Sequence, residues 1–185
     1  MKQLIERIGN LLTEKPSAVI GIDGQCASGK TTLALEIAAR FNAQIIHMDD
    51  FFLPFDMRTI ERLSETGGNV HYERFNAEVV SGLEKGGESA YRVFCCKNGT
   101  YDESKTISAD KPIIIEGSYA FHPKIKISYD LKIFLKSDYE KRLERIRRRN
   151  GDEKLEMFKE KWIPLEEKYF SGFLIEENCD IIKYT

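Results

Sequence analysis

Hydrophobic residues recur at two spacings in the first fifty positions, one typical of helices and one of buried strands. Helical spacing relates Leu4, Ile5, Ile8, Leu11 and Leu12, and Pro16 ends that segment, which predicts a helix over residues 1–15. The apolar run 18–22 then predicts a strand. After a glycine-rich loop, Leu33, Ile37 and Phe41 lie four residues apart and predict a second helix, and residues 43–47 predict a second strand.

The rest of the chain continues this alternation. Short apolar runs at 112–115 and 131–135 are bounded by polar or glycine residues, as expected of parallel strands covered on both faces. A charged helix is predicted from about 138 to 149, and a last strand near 179–184. The pattern predicts an α/β fold with a doubly wound, mostly parallel sheet of about five strands and flanking helices.

The middle of the chain departs from this pattern. Paired glycines at 67–68 and 86–87 punctuate it, and the stretch YRVFCCKNGTYDESKTI has a Lys-Asn-Gly-Thr turn between two β-prone segments. We predict a small β-hairpin flap within residues 67–107. With 185 residues and 42% hydrophobic content, residues 1–185 are expected to form one domain.

The charge balance of the chain limits which binding partners are expected. Lys and Arg number 28 against 30 Asp and Glu, so no global field favours nucleic acid or an anionic membrane. No apolar stretch approaches the ~20 residues of a membrane span. The four cysteines lack metal-ligand spacing, and the chain opens with a charged, helix-patterned segment, so a reduced cytoplasmic protein is expected.

The stretch GIDGQCASGKTT contains the pattern G-x-x-x-x-G-K-[ST] between a predicted strand and a predicted helix. In such a loop, backbone N–H groups and a helix N-terminus bind phosphate oxygens, a lysine reaches the β- and γ-phosphates, and a hydroxyl ligates Mg²⁺. The sequence therefore predicts binding of ATP and Mg²⁺. The candidate nucleotide-binding residues are Gly24, Ala27, Ser28, Gly29, Lys30, Thr31 and Thr32.

Acidic residues follow two other predicted strands. Asp49 and Asp50 come directly after the second strand, and Glu116 ends the run 113–116. Ligands of open α/β sheets bind at the carboxyl ends of strands. Either aspartate could accept a proton from an acceptor hydroxyl as a phosphoryl group moves, and Glu116 is the candidate for the metal side, with Thr31.

A basic cluster lies on the predicted charged helix. Arginine guanidinium groups match phosphoryl oxygens and can stabilise charge developing during transfer. We predict an Arg-rich lid over residues 138–160, with Arg145 and Arg149 as catalytic candidates beside Lys30. The alternative is a solvated helix face with ion pairs between successive turns.

The motifs GIDGQCASGKTTLA, HMDDFFLP and IIIEGSYAF, in this order, resemble the uridine kinase group of P-loop small-molecule kinases over about residues 18–170. That group includes nicotinamide riboside, pantothenate and phosphoribulose kinases. The resemblance implies that Asp49 is the general base, that Thr31 and Glu116 serve Mg²⁺, and that Phe52 helps to form the acceptor pocket. It also implies that the hairpin closes over the acceptor site.

Two segments depart from the family pattern. In NVHYERF, residues 69–75, His71 stands where the family usually has an aspartate that binds ribose hydroxyls, and Glu73 could substitute for it. His71 and Arg74 are nevertheless candidates for acceptor binding, with Asp50. The lid reads RIRRRNGDE, and the later aromatic residues Trp162 and Tyr169 resemble the post-lid segment of nicotinamide riboside kinases.

These observations predict an ATP-dependent phosphotransferase whose acceptor is a small metabolite, with a nucleoside 5′-hydroxyl favoured. Nicotinamide riboside, pantothenate or another sugar-like acceptor are the alternatives within this class. A nucleotide-dependent switch or binding module is the alternative from another class, although the sequence lacks an N-K-x-D guanine-binding motif. The N-terminal helix could also form a homodimer contact.

Overall fold

The computed structural model describes residues 1–185, apart from the side chain of Asp102. Its strands are β1 (Val19–Gly24), β2 (Gln44–His47), β3 (Glu88–Cys95), β4 (Thr100–Ser108), β5 (Ile113–Glu116), β6 (Leu131–Lys136) and β7 (Ile181–Tyr184). Five of them form a sheet in the order β2-β5-β1-β6-β7, and every neighbouring pair is parallel. The predicted α/β fold with a five-stranded parallel sheet is confirmed.

The α-helices surround this sheet and follow its strands along the chain. They are α1 (Lys2–Glu14), α2 (Lys30–Phe41), α3 (Ile60–Ser64), α4 (Tyr72–Phe75), α5 (Ser81–Lys85), α6 (Tyr139–Asn150), α7 (Asp152–Met157) and α8 (Ile163–Gly172). Residues Met48–Phe51 and Phe55–Met57 form 3₁₀ turns, and Asn76–Val80 and Phe158–Trp162 are π-helical. Within the described chain, no helix combines the length and apolar character needed to cross a membrane.

Both faces of the sheet are buried, because successive side chains of a strand point to opposite sides. In β5, Ile114 packs with α1 and α2, whereas Ile113 and Ile115 belong to the core on the other face. The apolar side of α1 contributes Leu4 and Ile8 to the first of these cores. This packing accounts for the periodicity of the N-terminal helix, and a homodimer contact stays a prediction.

The region predicted as a flap has two parts. Strands β3 and β4 form the expected antiparallel hairpin, with pairing from Glu88 opposite Ser108 to Cys95 opposite Thr100. The preceding part, from α4 to α5, is helical, which the sequence analysis did not anticipate. Tyr72, Phe75 and Val79 recur there at helical spacing and are buried against the core.

The predicted lid begins with a well-capped helix. The Asp138 carboxylate accepts hydrogen bonds from the backbone N–H groups of Glu140 and Lys141 at the start of α6. Gly151, with a φ of 85°, ends α6 and connects it to α7. The chain then passes through the π-helical turn into α8, which returns to the centre of the sheet.

Candidate active site

A cleft of about 1420 Å³ opens at the carboxyl ends of β1, β2 and β5. The loop after β1, the turn after β2, the end of β5 and the lid helices line it. Single-ligand pockets usually measure about 300–1,000 Å³. The larger volume therefore suits a nucleotide together with a second, smaller molecule.

The loop between β1 and α2 forms the floor of the cleft, and residues 26–33 all line it. Gly24 has a φ of 137°, and a Cβ atom there would lie 2.2 Å from the Leu135 carbonyl oxygen, so only glycine fits. Ala27 and Gly29 also have positive φ values, and Gly29 directly precedes α2. The predicted nucleotide loop therefore has the fold of a phosphate-binding turn at a helix N-terminus.

Lys30 lies over this loop at the bottom of the cleft. Its Nζ donates hydrogen bonds to the backbone oxygens of Gly24 (2.6 Å) and Gln25 (2.9 Å) and to Ser118 Oγ (3.3 Å). No carboxylate among the described side chains forms an ion pair with it. The ammonium group is therefore available to phosphate oxygens, which accept stronger hydrogen bonds than neutral carbonyls.

The two predicted metal ligands meet at the edge of the cleft. Thr31 Oγ1 donates a hydrogen bond to Glu116 Oε1 (3.1 Å), and His47 Nδ1 lies 2.6 Å from the same oxygen. This bond to Glu116 raises the pKa of His47. His47 of β2 pairs with Glu116 of β5, and β1, which also pairs with β5, leads into the loop that places Thr31 at the start of α2.

These donors fit Mg²⁺, which usually takes one or two protein oxygens and keeps water and substrate phosphates as its other ligands. Within the described part of the chain, no group of three or more His, Cys, Asp or Glu side chains is arranged to hold a metal ion. A Mg²⁺ ion here would thus depend on the bound nucleotide for the rest of its ligands.

The two aspartates of the 3₁₀ turn after β2 have different surroundings. Asp49 lines the cleft and is exposed to solvent there. Partial desolvation and then the nearby Glu116 raise its pKa, while Lys30 and His47 oppose that rise. Asp50 is buried, and its Oδ2 accepts hydrogen bonds from Tyr91 Oη (3.1 Å) and Lys105 Nζ (3.0 Å) of the hairpin. Of these two aspartates, Asp49 alone lines the cleft.

The predicted acceptor residues of the segment 69–75, His71 and Arg74, are not among the described residues that line the cleft. Arg74 is bonded elsewhere, whereas the buried Nδ1 of His71 has no hydrogen-bond partner among the described atoms. The buried Arg74 guanidinium donates to the backbone oxygens of Asp50 and Arg92 and lies 4.3 Å from the centre of the Phe51 ring. The His71 backbone N–H bonds Phe51 O, and burial lowers the pKa of its imidazole. Substrate contact by either side chain stays a prediction.

Phe52 does line the cleft, together with four residues that the sequence analysis missed: Arg58, Leu63, Asn69 and Cys96. The segment around Phe52 pairs with the segment around Asn69, since Leu53 N–H donates to Asn69 O (3.0 Å). No local motif marks these residues, because distant parts of the chain bring them together.

Three of the five arginines of α6 line the cleft, and a fourth, Arg142, is buried. Arg145, Arg148 and Arg149 line the cleft, and Arg145 Nη1 donates to the backbone oxygen of Ala27 in the nucleotide loop (3.0 Å). Arg147 instead forms an exposed ion pair with Asp152. The predicted catalytic pair, Arg145 and Arg149, thus lies on the side of α6 that faces the cleft.

A carboxylate from α8 also reaches the nucleotide loop. Glu166 is 6% exposed, and it accepts hydrogen bonds from the Cys26 backbone N–H (2.9 Å) and from Ser118 Oγ (2.6 Å). One turn further, Tyr169 Oη donates to Asp23 Oδ2 (2.8 Å). These two side chains connect α8 to the nucleotide loop, at Cys26, and to the end of β1, at Asp23. The sequence analysis noted Tyr169 by resemblance and missed Glu166.

The buried carboxyl group of Asp23 should make the stability of the fold depend on pH. Burial raises its pKa to about 6, against the opposing effect of its bonds to the backbone N–H groups of Phe121 and Gly24. Between pH ~4 and ~6 the folded state holds a proton that the unfolded chain has released, so the free energy of unfolding falls as pH rises through this window. Two pKa units correspond to roughly 3 kcal/mol.

Chemical denaturation at pH 4, 5, 6 and 7 checks this expectation. The wild type should lose stability relative to Asp23→Asn, which does not titrate, as pH rises from 4 to 6. A constant difference between the two proteins across this range would contradict the assignment to Asp23.

The parallel sheet, the glycine loop ahead of α2 and the carboxylates at the ends of β2 and β5 together define a P-loop NTPase fold. Residues 19–155 match the sequence profile of the Phosphoribulokinase / Uridine kinase family. The chain belongs to this family, as its three motifs indicated.

Individual relatives are distant. The chain is 28% identical over 145 residues to uridine-cytidine kinase B of Dictyostelium discoideum, covering 74% of this chain and 59% of the relative. It is 29% identical over 136 residues to the tRNA-specific adenosine deaminase subunit tad2 of Schizosaccharomyces pombe, covering 70% of this chain and 32% of that protein. The chain thus spans less than two thirds of the length of either relative.

A solved structure shares the fold of this protein over almost the whole chain. The structure of "a Possible Uridine Kinase from Bacillus stearothermophilus" superposes with a TM-score of 0.69 at 19% identity. The superposition covers 97% of this chain and 98% of that one. At this identity the likeness establishes a shared fold.

Proposed function

We propose that this protein transfers the γ-phosphoryl group of Mg·ATP to a hydroxyl group of a small metabolite. The observation that carries the proposal is the position of Asp49. This carboxylate lies in the same cleft as Lys30 and the Thr31–Glu116 pair, so one cavity contains a phosphate loop, metal ligands and a base. A protein that only binds nucleotide has no need for the base.

Each residue has a distinct role in this proposal. The loop N–H groups and Lys30 bind the phosphates, and Thr31 and Glu116 hold Mg²⁺, which supplies charge neutralisation when bound. Asp49 Oδ accepts the proton of the acceptor hydroxyl as that oxygen attacks phosphorus. Arg145, Arg148 and Arg149 stabilise the charge on the transferred group. Positioning and electrostatics supply most of the rate of such a reaction.

The acceptor predicted from the sequence is a nucleoside 5′-hydroxyl. Family membership supports this acceptor, as does the name of the Dictyostelium relative. The described cleft supplies no carboxylate in the position of the family's ribose-binding aspartate, because His71 is outside it and Glu73 is bound by Arg62 (2.8 and 2.9 Å). Nucleoside phosphorylation, like a cytoplasmic location, stays a prediction.

Acceptor-dependent ADP release tests the proposal. Purified protein with Mg·ATP is assayed alone and with ribonucleosides, deoxynucleosides, nicotinamide riboside, pantothenate and simple sugar phosphates. A kinase should show turnover that rises at least tenfold with one class of acceptor. Equal, slow turnover with and without every compound would favour a nucleotide-dependent switch and contradict the proposal.

A further inference from the structure

We propose that the acceptor carries an anionic group, a carboxylate or a phosphate ester, and that Arg58 binds this group at the acceptor end of the cleft. The inference rests on the proposed phosphoryl transfer and adds the chemical class of the acceptor. It starts from the surroundings of one arginine that neither the motifs nor the family match singles out.

Arg58 is half-buried and held in one orientation. Its Nε donates a hydrogen bond to Leu53 O (2.9 Å), and its guanidinium carbon lies 4.5 Å from the centre of the Phe55 ring. Its Nη2 has only a long contact of 3.9 Å with Cys96 Sγ. Among the described side chains, no carboxylate lies within ion-pair distance of this guanidinium, although the side chain lines the cleft.

Two carboxylates of the same region already have basic partners. Arg62, four residues further along the chain, donates hydrogen bonds to both carboxylate oxygens of Glu73, and Lys124 pairs with Glu65 at 2.8 Å. Partly buried arginines are usually satisfied by such forked contacts, because the guanidinium matches two oxygens of one anion. The Arg58 guanidinium can still form such a forked contact with an anion in the cleft.

The neighbouring cleft residues add hydrogen-bond donors. Asn69 lines the cleft, and its buried Nδ2 has no hydrogen-bond partner among the described atoms. Burial raises the pKa of the nearby Tyr119 hydroxyl, and the Asn69 amide opposes that rise. Lys168 lines the cleft from α8, where its Nζ donates to Ser64 O (2.9 Å). A carboxylate or phosphate accepts hydrogen bonds only, so a part of the cleft lined by hydrogen-bond donors suits either group.

The site and the reacting groups share one cleft. Arg58, Cys96 and Asp49 all line it, and Arg58 Nη2 lies 3.9 Å from Cys96 Sγ. One small molecule bound in this cleft can therefore meet Arg58 with its anionic group and Asp49 with a hydroxyl. Charge neutralisation by Arg58 would also offset the repulsion between an anionic acceptor and the phosphates of ATP.

The first experiment uses matched acceptors that differ in one anionic group. Pantothenate is compared with panthenol for the carboxylate, and ribose 5-phosphate with ribose for the phosphate ester, in the ADP-release assay. We expect kcat/KM at least tenfold higher for the anionic member of the active pair, and the pair that responds identifies the anion. Arg58→Gln should remove this preference by raising the acceptor KM, with the KM for ATP unchanged. Preference for the neutral member, or for uridine over all four, would overturn the inference.

The second experiment does not depend on the choice of acceptor. Inorganic phosphate is titrated calorimetrically into the protein saturated with Mg·AMP-PNP, whose phosphates occupy the nucleotide loop. The wild type and the exposed-arginine control Arg7→Gln should bind a further phosphate, and Arg58→Gln should not. Absence of this binding in the wild type, or its persistence in Arg58→Gln, would overturn the inference.

Thermal unfolding separates these outcomes from a folding defect. This control is needed because Arg58 also donates a hydrogen bond to Leu53 O. Arg58→Lys should keep the melting temperature within a few degrees of the wild type, retain the positive charge and bind phosphate more weakly, because lysine lacks the fork. If no acceptor raises ATP turnover while phosphate still binds at Arg58, the proposed phosphoryl transfer fails and the anion site stands.

Discussion

Replacement of Asp49 by asparagine should lower kcat for acceptor phosphorylation by about 10²–10⁴-fold, the usual contribution of a general base. An amide has nearly the shape of the carboxylate but cannot take the proton. Binding of Mg·AMP-PNP should change little, because Asp49 contacts neither Lys30 nor Thr31 directly. Steady-state kinetics and calorimetric titration of the nucleotide analogue measure the two quantities.

The adjacent aspartate provides the control. Asp50→Asn weakens the contacts with Tyr91 and Lys105 of the hairpin, so it should affect stability or the acceptor KM while retaining turnover. Because Asp49 has a raised pKa, the acidic limb of the kcat profile should lie above the usual range of an aspartate and should persist in Asp50→Asn. Loss of turnover in Asp50→Asn with full activity in Asp49→Asn would reverse the assignment.

Truncation of Glu166 to alanine should have the second large effect, on both folding and nucleotide affinity. It leaves the buried Cys26 N–H without its acceptor and leaves the half-buried Ser118 hydroxyl with only the longer contact to Gly24 O (3.4 Å). One orphaned buried donor costs about 1–3 kcal/mol, so the free energy of unfolding should fall by roughly that amount. The nucleotide loop then loses its direct polar contact with Glu166 of α8, and we expect ATP affinity to fall about tenfold or more, equivalent to ~1.4 kcal/mol.

Glu167→Ala is the matched control, because it removes the same charge from the exposed neighbouring position of α8. It should leave both quantities near the wild-type values. Denaturant unfolding and nucleotide titration compare the two variants. Similar losses in Glu166→Ala and Glu167→Ala would indicate a general effect of charge on α8 and would contradict the role given to the buried contacts.

The parts of the site that the sequence predicted are those with local causes. The glycine loop follows from residues that are consecutive in the chain and need particular backbone angles. Glu116 and Asp49 follow strands, and the carboxyl ends of parallel strands meet at one edge of the sheet. A one-dimensional pattern therefore suffices to bring Thr31, Asp49 and Glu116 into one cleft.

The other parts depend on packing between distant segments. Glu166 reaches Cys26 across 140 positions of the chain, and no spacing rule relates them. Asp49 and Asp50 have the same chemistry in sequence, and only the 3₁₀ turn and the hairpin decide which of them faces the cleft. The helical part of the flap was missed because the glycine pairs that bound it favoured an interpretation as loops.

The turn at Met48–Phe51 connects the candidate base to the hairpin. In the proposed reaction Asp49 must stay aligned with the phosphate loop, and the family resemblance predicts that the hairpin moves to close over the acceptor. Asp50 bonds that hairpin at Tyr91 and Lys105, and the turn gives the two aspartates adjacent peptide units. A rigid-body movement of the hairpin would therefore either break these bonds or shift the backbone of Asp49. On this proposal, entry of the acceptor and alignment of the base are linked through one peptide bond.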